Sequence, residues 1–414
     1  MQALFDRCAG LDVHKKTVVA CRLIASGSAA PQTETVTFGT TTAELLRLSD
    51  WLTAGGVTHV ALESTGVYWR PVYNLLEGNF IVWVLNAQHV KNVPGRKTDV
   101  KDAQWLADLL RHGLVRPSFI PSAAQRALRD LTRERTNFIR QRATLVNRVQ
   151  KVLEGANIKL GDVASNVLGV SGRAILTALA AGQTDAATLA ELAVGKLRSK
   201  RAALEAALSG CVRDHQRFVL TELLCQIESL EETIARFDDQ IRAACAAEQL
   251  ILDLLDTIPG VARPTAELLV AEIGTDLTRF PTAAHLAAWA GLAPGNDESA
   301  GKRRSGRIRQ GNPWLRSGLV AAARGAIRNK QSALAAQYRR IAARRGDKRA
   351  IIAVAHSILV IAYHVITRQE PYRELGADYL DRGNPDAKAK RLIRQMEQLG
   401  FTVTVAPVAP APAC

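Results

Sequence analysis

The sequence predicts an α/β domain over residues 1–120 followed by a chain built almost wholly of helices. Two observations carry this. Short apolar runs alternate with helix-period segments up to about residue 120, and from Ala123 onward apolar residues recur at alternating spacings of three and four. Residues 5–12 and 17–24 are strand-like around the turn Asp12-Val13-His14-Lys15-Lys16, and residues 35–38 form a third strand. Residues 42–53 place Leu45, Leu48 and Leu52 on one helical face, with Thr41 or Thr42 as the cap. Residues 58–63 form a short apolar strand ending in a carboxylate, residues 80–85 another strand, and residues 100–111 a helix. A hairpin followed by this alternation specifies a mixed sheet with helices on its faces.

Beyond it, Leu128, Leu131, Phe138, Leu145, Val149 and Val152 lie on a heptad seam, with Arg135 and Arg142 at two of its positions. A cleaner seam runs through Leu220, Leu223, Ile227, Leu230, Ile234, Phe237, Ile241 and Ala244. Such seams predict a coiled coil or long antiparallel helical arm, a common dimerisation device. Shorter helices are expected at residues 174–181 and 187–194. Residues 250–375 form a further helical unit, in which Ile258-Pro259-Gly260-Val261 resembles a helix-hairpin-helix turn. That turn either offers backbone N–H groups to phosphate or is simply a structural hairpin. The expected division is 1–120, a helical arm at 121–249, a C-terminal domain at 250–403, and a Pro/Ala-rich disordered tail at 404–414.

Charge narrows the function classes. The 414 residues carry 54 Lys and Arg against 39 Asp and Glu, a net +15. Residues 91–151 hold a local +9 and residues 299–349 a local +14, which leaves the rest of the chain at −8. Two basic regions on an otherwise acidic chain point to a polyanion, above all nucleic acid. The six cysteines are scattered without a CxxC pair, which argues against a structural zinc site or disulfide scaffold and for a reducing cytosol. Asp6 and Arg7 precede any long apolar run, so no signal peptide is visible. The uncharged run at residues 350–367 reads as a buried helix rather than a membrane span, and a soluble protein is expected.

Four carboxylates stand out. Asp12 and Glu63 end strands, while Asp99 and Asp102 are three apart at a helix start and share a face. Carboxylates at neighbouring strand ends facing a helix with two more are a hard-oxygen set suited to magnesium. Two such ions about 4 Å apart activate a nucleophile and stabilise a leaving oxygen in phosphodiester chemistry. Alternatively, Asp99 caps the helix and Asp102 favours its dipole. Arg96, Lys97 and Lys101 nearby are phosphate clamps. A second constellation runs from Gly291-Leu292-Ala293-Pro294-Gly295 through Ser299-Ala300-Gly301 to Lys302-Arg303-Arg304. Here a serine in a Gly-flanked loop adjoins three cations able to neutralise phosphate, with Ser305 as a rival. No neighbouring His marks an acyl-hydrolase triad.

These residues carry a family resemblance. Gly10-Leu11-Asp12-Val13-His14-Lys15, Glu63-Ser64-Thr65-Gly66 and Lys97-Thr98-Asp99-Val100-Lys101-Asp102-Ala103 resemble the DEDD signature of the insertion-sequence-110 and 1111 transposases. Ile258-Pro259-Gly260, Arg279-Phe280-Pro281 and Ala290-Gly291-Leu292-Ala293-Pro294 resemble their C-terminal domain, and Leu168 to Arg173 and Leu375 to Tyr379 extend the likeness. The resemblance implies a RuvC-like ribonuclease-H fold for residues 1–120, a coiled-coil arm and a helical transposase domain. It implies that Asp12, Glu63, Asp99 and Asp102 bind Mg2+, with Mn2+ as the alternative, and that Ser299 attacks DNA to form a covalent intermediate. Arg96, Lys97, Lys101, Lys302, Arg303, Arg304, Arg307 and Arg309 are then the nucleic-acid contacts. The partners implied are donor and target DNA, a bridge-type guide RNA, and further copies of the chain, as a dimer or as a tetramer on DNA. No membrane is involved and the location is cytoplasmic and nucleoid-associated. The competing readings are a RuvC-like nuclease or junction resolvase that activates water, and a non-catalytic nucleic-acid-binding scaffold.

Overall fold

A computed structural model describes residues 3–25, 31–64, 66–87, 90, 102–295, 297–299, 301–305, 308, 310–379 and 385–404. The chain divides into two compact units, Met1–Ser122 and Ala123–Cys414. The regions read as the arm and the C-terminal domain both fall in the second unit, and the Pro/Ala-rich tail lies outside the described residues from 405.

The first unit is a five-stranded mixed sheet of order β3-β2-β1-β4-β5. Strands β1 (Arg7–Val13), β2 (Thr17–Ile24) and β3 (Gln32–Gly39) form an antiparallel meander. Strands β4 (His59–Glu63) and β5 (Ile81–Leu85) run parallel to β1. Strand β3 is twice as long as its apolar pattern predicts. Its first residues are exposed and polar, and the Arg22 guanidinium on β2 donates two bonds to Glu34, at 2.9 and 2.6 Å. A solvent-facing edge strand carries little apolar signal.

Alternation along the strands divides the sheet between two helical layers. On one face, α1 (Thr42–Ala54) and α2 (Trp69–Leu76) bury Leu45, Leu48, Leu52, Val72 and Leu76 against Leu11, Val60 and Leu62. Thr41 occupies the N-cap of α1 but makes no side-chain cap bond. Helix α2 was not expected from the sequence. It contains Pro71, which a first helical turn tolerates. On the other face, α3 (Asp102–Arg111) packs Ala103, Leu106 and Leu110 against Cys8, Cys21 and Ala61. A Cβ at Gly10 would lie 2.2 Å from the Ala103 carbonyl oxygen and 2.4 Å from the Ala107 nitrogen, so backbone touches backbone there. Burial pushes the Cys8 thiol on this face up to about 12, far from reactive.

In the second unit, α4 (Ala123–Gly155) and α6 (Asp214–Ala244) pair antiparallel. Phe138 meets Phe237 at 5.3 Å between ring centroids. The arginines within the seam are ion-paired: Arg135 reaches Asp238 at 2.8 Å and Glu267 at 2.7 Å, and Arg142 reaches Glu231 at 2.7 Å. One core closes around the far end of the pair, where Val149, Leu153, Leu220, Leu223 and Ile227 meet Ile175 and Leu176 of α5 (Val170–Ala180). A second core joins Leu128 of α4 and Ile241 of α6 to residues 251–366, around α7 (Gln249–Asp256), α8 (Arg263–Ile273) and α9 (Ala283–Trp289).

Helices α10 (Pro313–Ala326), α11 (Ala333–Arg345) and α12 (Asp347–Arg368) complete this core. Helix α12 is long and apolar enough to cross a membrane by length and composition. Within this unit it lays Val354, Ala355, Ile358, Leu359 and Ala362 into the core. The Gly260 turn joins α7 to α8 with φ +82°, and a Cβ there would sit 2.2 Å from the Ala322 carbonyl oxygen of α10. Gly260 is thereby packed backbone to backbone against α10.

Gly10→Ala forces α3 away from the sheet and lowers unfolding free energy by about 1–3 kcal/mol in denaturant titrations. Gly78→Ala, whose added methyl meets nothing within 4 Å, leaves stability essentially unchanged and serves as the control.

Candidate active site and nucleic-acid interface

Strand register brings two of the predicted acids together. Leu11 of β1 pairs with Leu62 of β4 in the parallel ladder, so Asp12 and Glu63 follow at the carboxyl ends of adjacent strands. Cys8 and Ala61 face α3, and period-2 alternation puts Asp12 and Glu63 on that same face. Helix α3 runs antiparallel to β1: Cys8 Sγ donates to the Ala107 carbonyl at 3.6 Å, whereas Gly10 abuts both Ala103 and Ala107. The N-terminus of α3, which begins at Asp102, thus lies towards the Asp12 end. His14 Nε2 donates to Asp12 Oδ2 at 3.0 Å, so one oxygen of this carboxylate is engaged by the hairpin turn. The Asp12 side chain is 27% exposed, accessible to a ligand from solvent.

Asp99, the fourth acid, lies outside the described residues, as do Arg96, Lys97 and Lys101. The chemistry of Asp12, Glu63 and Asp102 fits a hard divalent cation, since all three offer carboxylate oxygen. Among the described residues, no three His, Cys, Asp or Glu side chains gather as a metal-holding group. What the fold supplies is placement of the acids on one face and at one end of the sheet.

The serine constellation folds as a hairpin, β6 (Asp297–Ser299) and β7 (Lys302–Ser305). Ser299 pairs with Lys302, and Gly301 just before Lys302 adopts φ +72°, as a tight hairpin turn demands. A Cβ at Gly301 would meet nothing within 4 Å, and Lys302 is exposed, so the tip stands in solvent. Ser305 pairs at the root with Asp297, and a register shift near Asp297 and Glu298 leaves Arg303 opposite Glu298 and Arg304 without a cross-strand partner in the ladder. Arg307 and Arg309 fall outside the described residues. An isolated bridge between Pro294 and Ile308 closes the base of the loop.

Other cations form exposed surfaces. Arg324, Arg328, Arg339, Arg340, Arg344, Arg345, Lys348 and Arg349 are exposed in the +14 segment, and Arg140, Arg148 and Lys151 along α4. A cluster that the sequence reading did not single out lies where α4 meets α8. Glu272 is fully buried, and the Arg133 guanidinium donates to both its oxygens, at 2.7 and 2.8 Å. Asn312 Nδ2 donates to the same carboxylate at 2.5 Å, and Arg129 bonds the Ala271 carbonyl at 2.9 Å and the Glu272 carbonyl. Burial pushes the Arg129 guanidinium down, opposed by the attraction of Glu272. The one sequence signal for this node is a carboxylate on an otherwise apolar helix stretch, Leu268 to Ile273.

Known proteins resemble this chain in both units. Residues 9–158 match the DEDD transposase domain of the IS110 group, described as "Transposase", and residues 252–339 match "Transposase IS116/IS110/IS902 family". A Pseudomonas aeruginosa protein described as "Probable family 20 transposase" is 29% identical over 76% of this chain and 85% of its own length. The transposase for insertion sequence element IS1111A of Coxiella burnetii is 26% identical over 70% of this chain and 72% of its own. A pilin gene-inverting protein of Moraxella lacunata is 32% identical over 35% of this chain and 47% of its own. With both its α/β unit and its helical unit matching, the chain belongs to the IS110 family of insertion-sequence transposases.

Proposed function

We propose that this transposase cuts and rejoins DNA by a divalent-metal-dependent reaction in which Asp12, Glu63, Asp99 and Asp102 hold the metal and Ser299 is the nucleophile. The observation that carries the reading is the placement of Asp12 and Glu63 at the carboxyl ends of adjacent parallel strands, on the face covered by the helix that begins at Asp102. The sheet order, with its antiparallel meander followed by two parallel strands, supports a RuvC-like ribonuclease-H assignment for residues 1–120. The antiparallel α4–α6 pair supports a coiled-coil arm over 121–249, with the catalytic serine in a domain spanning 250–403.

When bound, Mg2+ (or Mn2+) supplies charge neutralisation and polarisation at a phosphate oxygen. The chain's own residues do the rest. Lys302, Arg303 and Arg304 hold the phosphate beside the hairpin tip, joined by Arg307 and Arg309, with Arg96, Lys97 and Lys101 clamping backbone near the acids. Ser299 Oγ bonds to phosphorus as one backbone P–O bond breaks. The serine proton leaves to solvent, and the departing strand oxygen takes up a proton. A hydroxyl of a second strand then displaces Ser299, so the number of phosphodiester bonds is conserved. Ser299 is favoured over Ser305 because its backbone pairs with Lys302 next to the exposed Gly301 turn, whereas Ser305 pairs with Asp297 at the root of the hairpin. Inversion of a pilin gene, named for the Moraxella relatives, is a rejoining outcome of the same class.

The exposed cations of α4 and α11 suit the backbone of a bridge-type guide RNA, which would choose donor and target DNA. Along the middle of the helical pair the seam is only half covered, and a groove of about 500 Å3 lined by Gln141, Leu145, Gln226 and Leu230 lies there. This supports a dimer through the arm; two such dimers would make the tetramer proposed on DNA. A cytoplasmic, nucleoid-associated location follows from the substrate.

Incubated with element-end DNA, its guide RNA and magnesium, the wild-type chain yields a covalent protein–DNA species on a denaturing gel. Ser299→Ala abolishes it and Ser305→Ala retains it; adduct formation by Ser299→Ala, or hydrolysed ends without any adduct, overturns the serine assignment. Asp12→Asn and Glu63→Gln lower cleavage by at least about 100-fold while DNA binding persists, and chelation by EDTA has the same effect until magnesium is restored. Nucleic-acid affinity falls steeply with salt, by about 10³-fold or more between 50 and 200 mM if about six or more phosphates are contacted.

A further inference from the structure

The geometry points to a second nucleic-acid site in the helical unit: a pocket that takes one unstacked nucleotide of the DNA strand held at the serine hairpin. The pocket has a volume of about 470 Å3 and is lined by Arg129, Arg133, Trp289, Gln310, Asn312 and Trp314. That volume is in the range of small-ligand sites.

Its walls are of two kinds. Trp289 and Trp314 contribute indole surface, and Trp289 is 42% exposed, unusual for so large an apolar side chain. Arg133 and Arg129 supply guanidinium groups. Their orientation is set from behind by the fully buried Glu272 and the Ala271 and Glu272 carbonyls, so two cations oppose one carboxylate and positive charge is in excess. The Arg140 and Arg133 guanidiniums lie over the Trp314 ring, 4.9 and 5.9 Å from its centroid, so a base arriving there meets a guanidinium–indole stack rather than a bare ring. Aromatic surface beside fixed guanidiniums is the combination that binds single-stranded nucleic acid, the ring stacking on a base and the cation meeting its phosphate. The start of α10 does not account for the site, because Asn312 Oδ1 already accepts from the Trp314 and Leu315 nitrogens, at 3.0 and 3.1 Å.

The pocket's floor is held in place. A Cβ at Gly311 would lie 2.3 Å from the Ala290 carbonyl carbon, and Asn312 is tied to Glu272 at 2.5 Å. These residues follow directly on the hairpin that carries Ser299, whose loop is closed by the Pro294–Ile308 bridge. The pocket is thus close to the hairpin along the chain, and DNA is the strand that the proposed reaction assigns there. The choice of DNA as the source rests on the reaction proposed above; the pocket's chemistry does not.

The test uses the full-length chain carrying Ser299→Ala, in EDTA, so that binding is read without chemistry. The probes are a deoxythymidine decamer, the matching uridine decamer, a DNA duplex of equal length, and a decamer with abasic deoxyribose throughout, each followed by tryptophan quenching and anisotropy. The deoxythymidine decamer is expected to bind tighter than the duplex and about tenfold tighter than the abasic strand. Trp289→Ala and Trp314→Ala each weaken it roughly tenfold while leaving duplex binding within about twofold, and Trp314→Phe restores most of the loss. Equal binding of the thymidine and abasic strands overturns the pocket without any variant having to fold, as does unchanged affinity in both alanine variants. Tighter binding of the uridine decamer overturns DNA as its source. Because Ser299 is absent from every arm, these outcomes are independent of whether the serine is the nucleophile.

Discussion

Helix α3 can lie on the central strand only because residue 10 has no side chain. The backbone of Ala103 and Ala107 occupies the space where any Cβ would stand, and the helix sinks onto β1 at that point. Everything proposed for the α/β unit depends on this approach. It sets α3 antiparallel to β1, brings the helix start towards the strand's carboxyl end, and so gathers Asp102 to the end of the sheet where Asp12 and Glu63 emerge. It is fixed by a glycine and by the apolar contacts of Leu106 and Leu110.

The helical unit has a corresponding node in Glu272. A buried carboxylate is costly unless its charge is answered, and here it is answered by Arg133 through both oxygens, with Arg129 and Asn312 beside it. The node ties α4 and α8 to the start of α10, and holds two guanidiniums and the Trp314 turn in a fixed relation. A polar network buried for structural reasons thereby presents a rigid, cationic and aromatic surface outward. Arg135 likewise pairs with the buried Glu267 and with Asp238, whose side chain reaches solvent.

The net +15 resolves into separate parts. The +14 segment is largely exposed along α10 to α12, and the +9 segment includes buried, ion-paired arginines such as Arg135 that contribute nothing to a surface field. Counting charge along the chain therefore overstates the basic face of α4. Arg140, Arg148 and Lys151 are exposed there, while Arg126, Arg129, Arg133 and Arg142 are only partly so.

The class of fold and most element positions were legible in the sequence, because apolar periodicity is local and survives without partners. The sequence located β1, β2, β4 and β5 and the first long helix to within about two residues, whereas the second long helix begins at Asp214, ahead of the seam that starts at Leu220. It missed the polar first half of β3 and the Pro71-containing helix α2, where edge exposure and a first-turn proline hide the usual signal. Only the tertiary structure decided that Arg135 and Arg142 in the seam are paired, since Glu267 stands 132 residues from Arg135. It alone joined Glu272 to Arg129, Arg133 and Asn312, placed Gly260 against α10, and set Ser299 at the tip of its hairpin and Ser305 at the root. These are relations between residues far apart in the chain or across a register. Burial and pairing energies act through space, and no periodicity along the sequence encodes them.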